Sequence, residues 1–171
     1  SNLALSGEYL VVSGLVFRDG YTPSQSVISF RKSKDELANN SRVTQTVIHN
    51  FTNPERFEAD YWVAIYGKNN RFDHNHLEGK RNRGVTLAVR LDSESSRENY
   101  HRIDHNYFGP RPTLGSNGGE TLRIGTSHFS RSNSFTTVEN NYFDRCDGEV
   151  EIISSKSGSN VIRGNVFYES K

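Results

Sequence analysis

Glu149-Val150-Glu151, followed by Ile152-Ile153-Ser154-Ser155-Lys156, sets two carboxylates and an amine close together in the chain. In an extended strand alternate side chains share a face, so this spacing predicts Glu149 and Glu151 side by side with Val150 opposite. Paired carboxylates repel, and each raises the other's pKa unless a cation lies between them. Lys156 follows where such a strand would end. Two carboxylates, a hard cation between them and a neighbouring amine make a candidate site.

Asn117-Gly118-Gly119-Glu120 precedes this segment, with Asn117 lying 32 residues before Glu149. Its glycines allow an open backbone, and its amide and carboxylate oxygens suit a hard cation. Asn117, Glu149 and Glu151, completed by water and substrate, match Ca²⁺ better than Zn²⁺. The alternative is a plain glycine turn. Short β-branched segments elsewhere carry Tyr66, Arg90 and Arg123 as outward polar residues. Arg90 to Arg123 is 33 residues and Arg123 to Lys156 is 33 again. That interval predicts an aligned Arg-Arg-Lys column, suited to a polyanionic chain lying along it.

The elements that must position these groups follow from an internal repeat. Ile103-Asp104-His105-Asn106-Tyr107-Phe108 returns as Val138-Glu139-Asn140-Asn141-Tyr142-Phe143 and as Ile162-Arg163-Gly164-Asn165-Val166-Phe167. Phe72-Asp73-His74-Asn75-His76-Leu77 fits it, and Val47-Ile48-His49-Asn50-Phe51 fits loosely. Asparagine thus recurs at 50, 75, 106, 141 and 165, at intervals of 25, 31, 35 and 24 residues. Between these lie Val27-Ile28-Ser29-Phe30, Trp62-Val63-Ala64-Ile65-Tyr66, Val85-Thr86-Leu87-Ala88-Val89, Thr121-Leu122-Arg123-Ile124 and Val150-Glu151-Ile152-Ile153. Several short strands per period, with no helical periodicity, predict an all-β fold. It is a right-handed parallel β-helix spanning 1–171 as part of one domain. Stacked asparagines would bond up and down one bend, with the aromatic two residues later inside the core. Variation in period predicts loop insertions at 32–42, 52–60, 78–83, 92–99 and 110–119, crowding one face.

The bulk numbers agree with an elongated molecule. Hydrophobic residues make up 33% of 171 and mean hydropathy is −0.73, yet 8 Tyr, 10 Phe and 14 Gly argue against disorder. Net charge is +1, with 21 basic and 20 acidic residues, so no overall field points to nucleic acid or membrane. No apolar run approaches the length of a membrane span. Cys146, the single cysteine, reads as a small buried hydrophobe. His49, His74, His76, His101 and His105 fall in or beside the asparagine motif, on the opposite side from the proposed groove, and read as structural. His128 lies nearer the groove. The chain opens and closes in mid-pattern, so we expect both ends to be cut, and the lack of a signal peptide says little about export.

Asn117-Gly118-Gly119-Glu120-Thr121-Leu122-Arg123-Ile124-Gly125 followed by Glu149-Val150-Glu151-Ile152-Ile153-Ser154-Ser155-Lys156-Ser157 resembles polysaccharide lyase family 6, the family of alginate lyases and chondroitinase B. Asn106-Tyr107-Phe108-Gly109-Pro110-Arg111 is similar too. The resemblance runs over essentially the whole chain and implies the same β-helix. It further implies β-elimination on a uronate polysaccharide, with Asn117, Glu149 and Glu151 as Ca²⁺ ligands and Lys156 as general base. Arg123, with Tyr66, would contact substrate. A catalytic arginine about one coil beyond Lys156 would lie past Lys171, so this stretch alone would hold half the machinery. Such chemistry needs the cation to neutralise the uronate carboxylate and a neutral Lys156 amine to take the C5 proton. Alginate is the expected substrate, ahead of dermatan sulfate, and a secreted or periplasmic location is implied. The competing reading is a non-catalytic β-helix that binds acidic polysaccharide. It gives no reason for Glu149, Glu151 and Lys156 to occur together.

Overall fold

The computed structural model describes residues 1–171. Short strands alternate with tight corners, so the chain winds into a parallel β-helix with three six-stranded sheets. The first sheet stacks Leu3–Ala4, Ser26–Ser29, Tyr61–Ile65, Leu87–Val89, Leu122–Gly125 and Ile153–Lys156. The second stacks Val11–Ser13, Arg42–Thr44, Arg71–Asp73, Arg102–Asp104, Thr137–Glu139 and Val161–Arg163. The third stacks Val16–Arg18, Val47–His49, His76–Glu78, Tyr107–Phe108, Tyr142–Asp144 and Val166–Tyr168. Each coil gives one strand to each sheet, wound with the right-handed sense of parallel crossovers. The one helical element is a 3₁₀ turn at Glu94–Ser96, and no helix is long and apolar enough to cross a membrane.

The sharp corner between the second and third sheets explains the repeat. Gln45, His74, His105 and Asn140 adopt positive φ there, as do Gly14 and Gly164 in their own coils. The next residue forms the ladder. Asn75, Asn106, Asn141 and Asn165 each accept from the backbone N–H of the preceding rung, at 2.9–3.0 Å. Their amide groups donate to the carbonyls of Val43, Phe72, Ile103 and Val138. The backbone N–H groups of Thr46, Asn75, Asn106 and Asn141 and the asparagine amides are thereby satisfied at this buried bend. Asn50 is outside the ladder, contrary to expectation: Val47 pairs with His76, which puts Thr46 on the rung below Asn75. Phe108 and Phe143 stack inside at 4.9 Å between ring centroids, and Phe167 continues the stack at 5.0 Å on the last coil, where it is half exposed. They belong to, or flank, a continuous apolar core of 23 residues. Each fully buried side chain of this kind contributes about 1.5–3 kcal/mol.

Loops flank the first sheet on both sides. Segments 50–60, 79–86, 109–121 and 145–152 approach it, and segments 30–41, 66–70, 90–101 and 126–136 leave it. The insertions expected at 52–60, 78–83, 92–99 and 110–119 fall among these. The 32–42 insertion contains a small antiparallel hairpin, Arg31–Ser33 with Glu36–Asn39. The loop at 126–136 was not anticipated.

The outer face of the second sheet carries a diagonal ion ladder. Arg42 donates to both oxygens of Asp73 at 2.8 and 2.6 Å, and Arg71 donates to both of Asp104 at 2.9 and 2.8 Å. Arg102 and Arg163 share Glu139. Asp73 is fully buried. Burial alone would raise its pKa, but the bonds from Arg42 and His74 and the Arg71 charge hold it at about 2. A depressed carboxylate stabilises the fold above its unfolded pKa, and that contribution fades as pH falls through the folded value. Asp73→Asn is therefore expected to cost about 2 kcal/mol at pH 7, and the difference from wild type should shrink between about pH 4 and 2. Urea unfolding at several pH values measures this; a difference independent of pH would contradict it.

Candidate active site on the first sheet

Strand register on the first sheet fixes which side chains share its outer face. Val63, Leu87 and Leu122 form one inward column that continues to Ile153, and Ile65, Val89 and Ile124 form another. Ala64, Ala88, Arg123 and Ser154 form the outward column between them. Two small alanines there leave room for the long side chains beside them. One residue past the second inward column come Tyr66 and Arg90, then the pair Gly125 and Lys156. Arg31 falls in the same column, two residues past Ser29. These columns run across the strands, along the solenoid axis, with rungs about 4.8 Å apart.

Equal spacing therefore did not mean equal register. Arg90 aligns with Gly125 and Lys156, while Arg123 sits two residues earlier on its rung. The reason is loop length: Arg90 to Gly125 spans 35 residues and Gly125 to Lys156 spans 31. The basic groups are nevertheless gathered on one face. Tyr61 ties two of them together, its phenol oxygen accepting from Arg90 at 2.9 Å and from Arg123 at 3.2 Å. Tyr66 is only 2% exposed. The Arg31 guanidinium stacks over it at 3.8 Å and Arg90 lies 5.9 Å from its centroid. Burial raises its pKa despite the two arginines. Tyr66 supports the cationic surface from below instead of presenting its ring to a ligand.

Lys156 is exposed and its amine makes no hydrogen bond or ion pair in the protein. Its rung neighbour Gly125 has φ +91°, and a Cβ there would stand 2.5 Å from the Lys156 carbonyl oxygen. Only glycine fits both constraints. Gly125→Ala is expected to cost at least about 1–2 kcal/mol. Thermal melting checks this; an unchanged melting temperature would contradict it.

The acidic segment departs from the expected strand. The strand starts at Ile153, and Glu149-Val150-Glu151 lies in the bend before it. Val150 is 88% exposed, where alternation would have turned it inward. Close backbone packing forces the bend: a Cβ on Gly119 would lie 2.3 Å from the Gly148 oxygen, and one on Gly148 would lie 2.2 Å from the Gly119 oxygen. One oxygen of the half-buried Glu149 carboxylate accepts from the N–H groups of Gly118 and Gly119, each at 3.0 Å. Asn117 and Glu149 line one open cleft of about 530 Å³ with Thr113, Asp147 and Val150. Glu151 is exposed and outside that lining.

Comparison with known proteins identifies the scaffold. The family model for chondroitinase B matches residues 1–171. The chain belongs to this family, polysaccharide lyase family 6. A PL6 family alginate lyase, AlyGC, superimposes with a TM-score of 0.98 at 74% identity, over 99% of this chain and 23% of its own. A mannuronic acid specific family 6 lyase from human gut microbiota gives 0.94 at 42%, over 99% and 39%. Alginate lyase AlyF-OU02, solved in complex with G6, gives 0.81 at 26%, over 99% and 38%. The chain thus spans between 23% and 39% of the length of these relatives. No curated protein sequence matches it.

Within this family 6 scaffold the donor set fits a hard cation. The second oxygen of Glu149, both oxygens of Glu151 and the Asn117 side-chain oxygen have no protein partner. All are oxygen donors at an open surface, as Ca²⁺ prefers. No three His, Cys or acidic side chains converge on one point, so water and substrate would complete any coordination. The histidines lie where expected. His49 and His76 bond Glu78, while His74 and His105 bond Asp73 and Asp104 and stack on each other. His101 is wholly buried; burial holds its pKa down to about 3, and its neutral Nδ1 accepts from the Asn70 N–H. His128 is exposed in the turn after the Leu122–Gly125 strand. Cys146 is buried, and burial pushes its thiol up to about 11. Sequence reasoning missed Tyr61 and Arg31. Tyr61 carried no signal beyond opening a β-branched run, and Arg31 needed the register of Ser29 with Ala64 to place it.

Proposed function

We propose that the intact protein is a lyase that cleaves a 4-linked polyuronate, alginate in the first instance, by β-elimination. The observation that carries the reading is the outer face of the first sheet. It holds an unpaired Lys156 amine one rung beyond Arg123, at one end of the strand whose other end leads back to the cleft of Asn117 and Glu149. A surface that only bound a polyanion gives no reason for Glu149, Glu151 and an unpaired Lys156 to occur together. The names of the relatives at 74% and 42% identity support alginate over a sulfated polymer. Such substrates lie outside the cytoplasm, which favours a periplasmic or secreted site of action.

Arg123 and Arg90, fixed against Tyr61, orient carboxylates of the chain as it lies along the axis. Lys156 takes the proton from C5 of the uronate; the electron pair left there forms the C4–C5 double bond. The C4–O4 bond breaks, and the leaving oxygen takes a proton. Ca²⁺ bound by Asn117, Glu149 and Glu151 would neutralise the uronate carboxylate and so make the C5 proton more acidic. The arginine that the family resemblance places one coil past Lys156 would complete the acid–base pair.

Product analysis tests the reaction class. Nuclear magnetic resonance of digested uronate oligomers should show an olefinic proton at new non-reducing ends. Saturated ends would mark hydrolysis, and intact oligomers with the protein bound would mark a binding module. Either result overturns the proposal.

A further inference from the structure

Arg111 closes the Asn-Tyr-Phe-Gly-Pro-Arg segment and touches neither cleft nor groove. It is 3% exposed and spans two adjacent coils. Its guanidinium donates to the carbonyls of Asn82 (3.0 Å) and Gly84 (2.9 Å) and to the Thr86 hydroxyl (3.2 Å). On the next coil it donates to the carbonyls of Gly118 (3.2 Å) and Glu120 (2.8 Å). Gly148, on the coil after, packs so closely that a Cβ would stand 2.8 Å from Arg111 Nε. Burial lowers the Arg111 pKa to about 10, with Glu120 among the charges opposing the shift, so the group remains cationic at neutral pH.

The Gly118 carbonyl and the Gly119 N–H are the two ends of one peptide group. In a trans peptide they point in opposite directions. Arg111 at 3.2 Å and the Gly84 N–H at 2.8 Å together hold the oxygen end, so the N–H end is turned the other way, where it meets the Glu149 carboxylate at 3.0 Å. A buried cation at one end and a carboxylate at the other also polarise the same amide, which strengthens both bonds. We propose that Arg111 is a positioning residue for the acidic site. Acting with the Gly84 N–H on the Gly118–Gly119 peptide, and holding Gly84 itself through its carbonyl, it fixes one oxygen of Glu149 and leaves the other free for a cation. The role rests on the cation reading of Asn117, Glu149 and Glu151, but its effect on the peptide does not.

Two variants in the intact protein separate this from general stabilisation. Arg111→Lys keeps the buried charge and loses the fork that reaches both coils. Asn106→Ala breaks a buried rung of the asparagine ladder at the corner between the second and third sheets, where Asn106 bonds Asn75, Phe72 and Asn141 and none of the partners of Arg111. Calorimetry with Ca²⁺ alone and amide exchange at Gly119 are the readouts. Arg111→Lys should weaken Ca²⁺ binding by about tenfold or more and speed Gly119 exchange by a similar factor. Asn106→Ala should lower the melting temperature and leave Ca²⁺ affinity unchanged. Unchanged affinity and exchange in Arg111→Lys would overturn the proposal, as would an equal loss of affinity in Asn106→Ala. If wild type binds no Ca²⁺, the cation reading fails, and Gly119 exchange alone decides the role of Arg111. If Arg111→Lys does not fold, Thr86→Val removes one anchor of the guanidinium and is judged by the same two readouts.

Discussion

Lys156→Ala is expected to lower turnover on alginate by about a hundredfold to ten-thousandfold, the range for losing a positioned general base, while the fold is kept. The structural side of this expectation is direct. Lys156 is exposed, ends its strand, and spends its amine on no hydrogen bond or ion pair. Its removal leaves no buried partner unsatisfied, so melting should change little. Lys156→Arg sharpens the result. It preserves the positive charge and the reach, but a guanidinium does not give up its proton near neutrality. An arginine variant as inactive as the alanine variant marks proton transfer as the lost function. Recovery of most of the rate by arginine would instead assign Lys156 to charge alone, and loss of the fold in either variant would assign it to structure.

Glu149→Gln should weaken Ca²⁺ binding by about tenfold to a hundredfold, so that activity requires correspondingly more Ca²⁺. Glutamine has one carbonyl oxygen. The N–H groups of Gly118 and Gly119 already require an acceptor there, each at 3.0 Å. The remaining end of the side chain then presents an NH₂ where the carboxylate offered its second oxygen. Donors face the cation, and one negative charge is gone. Folding should survive because the two backbone bonds survive. Calorimetry with Ca²⁺ and rates against Ca²⁺ concentration check both halves. A variant with unchanged Ca²⁺ affinity and requirement would remove Glu149 from the ligand set.

Much of the fold was legible because a solenoid repeats its packing problem in every coil. Each sharp corner needs a residue at positive φ followed by a side chain that satisfies the bend, and this produced the recurring His-Asn and Asn-Asn pairs. Asn50 misled because it mimics the motif four residues beyond the true rung, where Thr46 serves. The site was legible in residue type and less so in geometry. Glu149 and Glu151 read as one strand face because alternation is the only rule a sequence offers there. The contact that breaks it, Gly119 against Gly148, is between coils and invisible along the chain. The regular 33-residue spacing misaligned Arg123 for the same reason: insertions of unlike length shift register without altering the sum. Arg111 sat inside a quoted motif, but its bonds go to backbone carbonyls, which leave no trace in residue identity.

The most direct test of the central claim is the ultraviolet absorbance of the intact protein mixed with alginate, followed first with chelator and then after Ca²⁺ is restored. A conjugated C4–C5 double bond forms only by elimination. The account predicts no rise under chelation, a steady rise once Ca²⁺ is returned, and no rise at any Ca²⁺ concentration for Lys156→Ala. No rise from wild type with Ca²⁺, or an equal rise with and without it, would contradict the account.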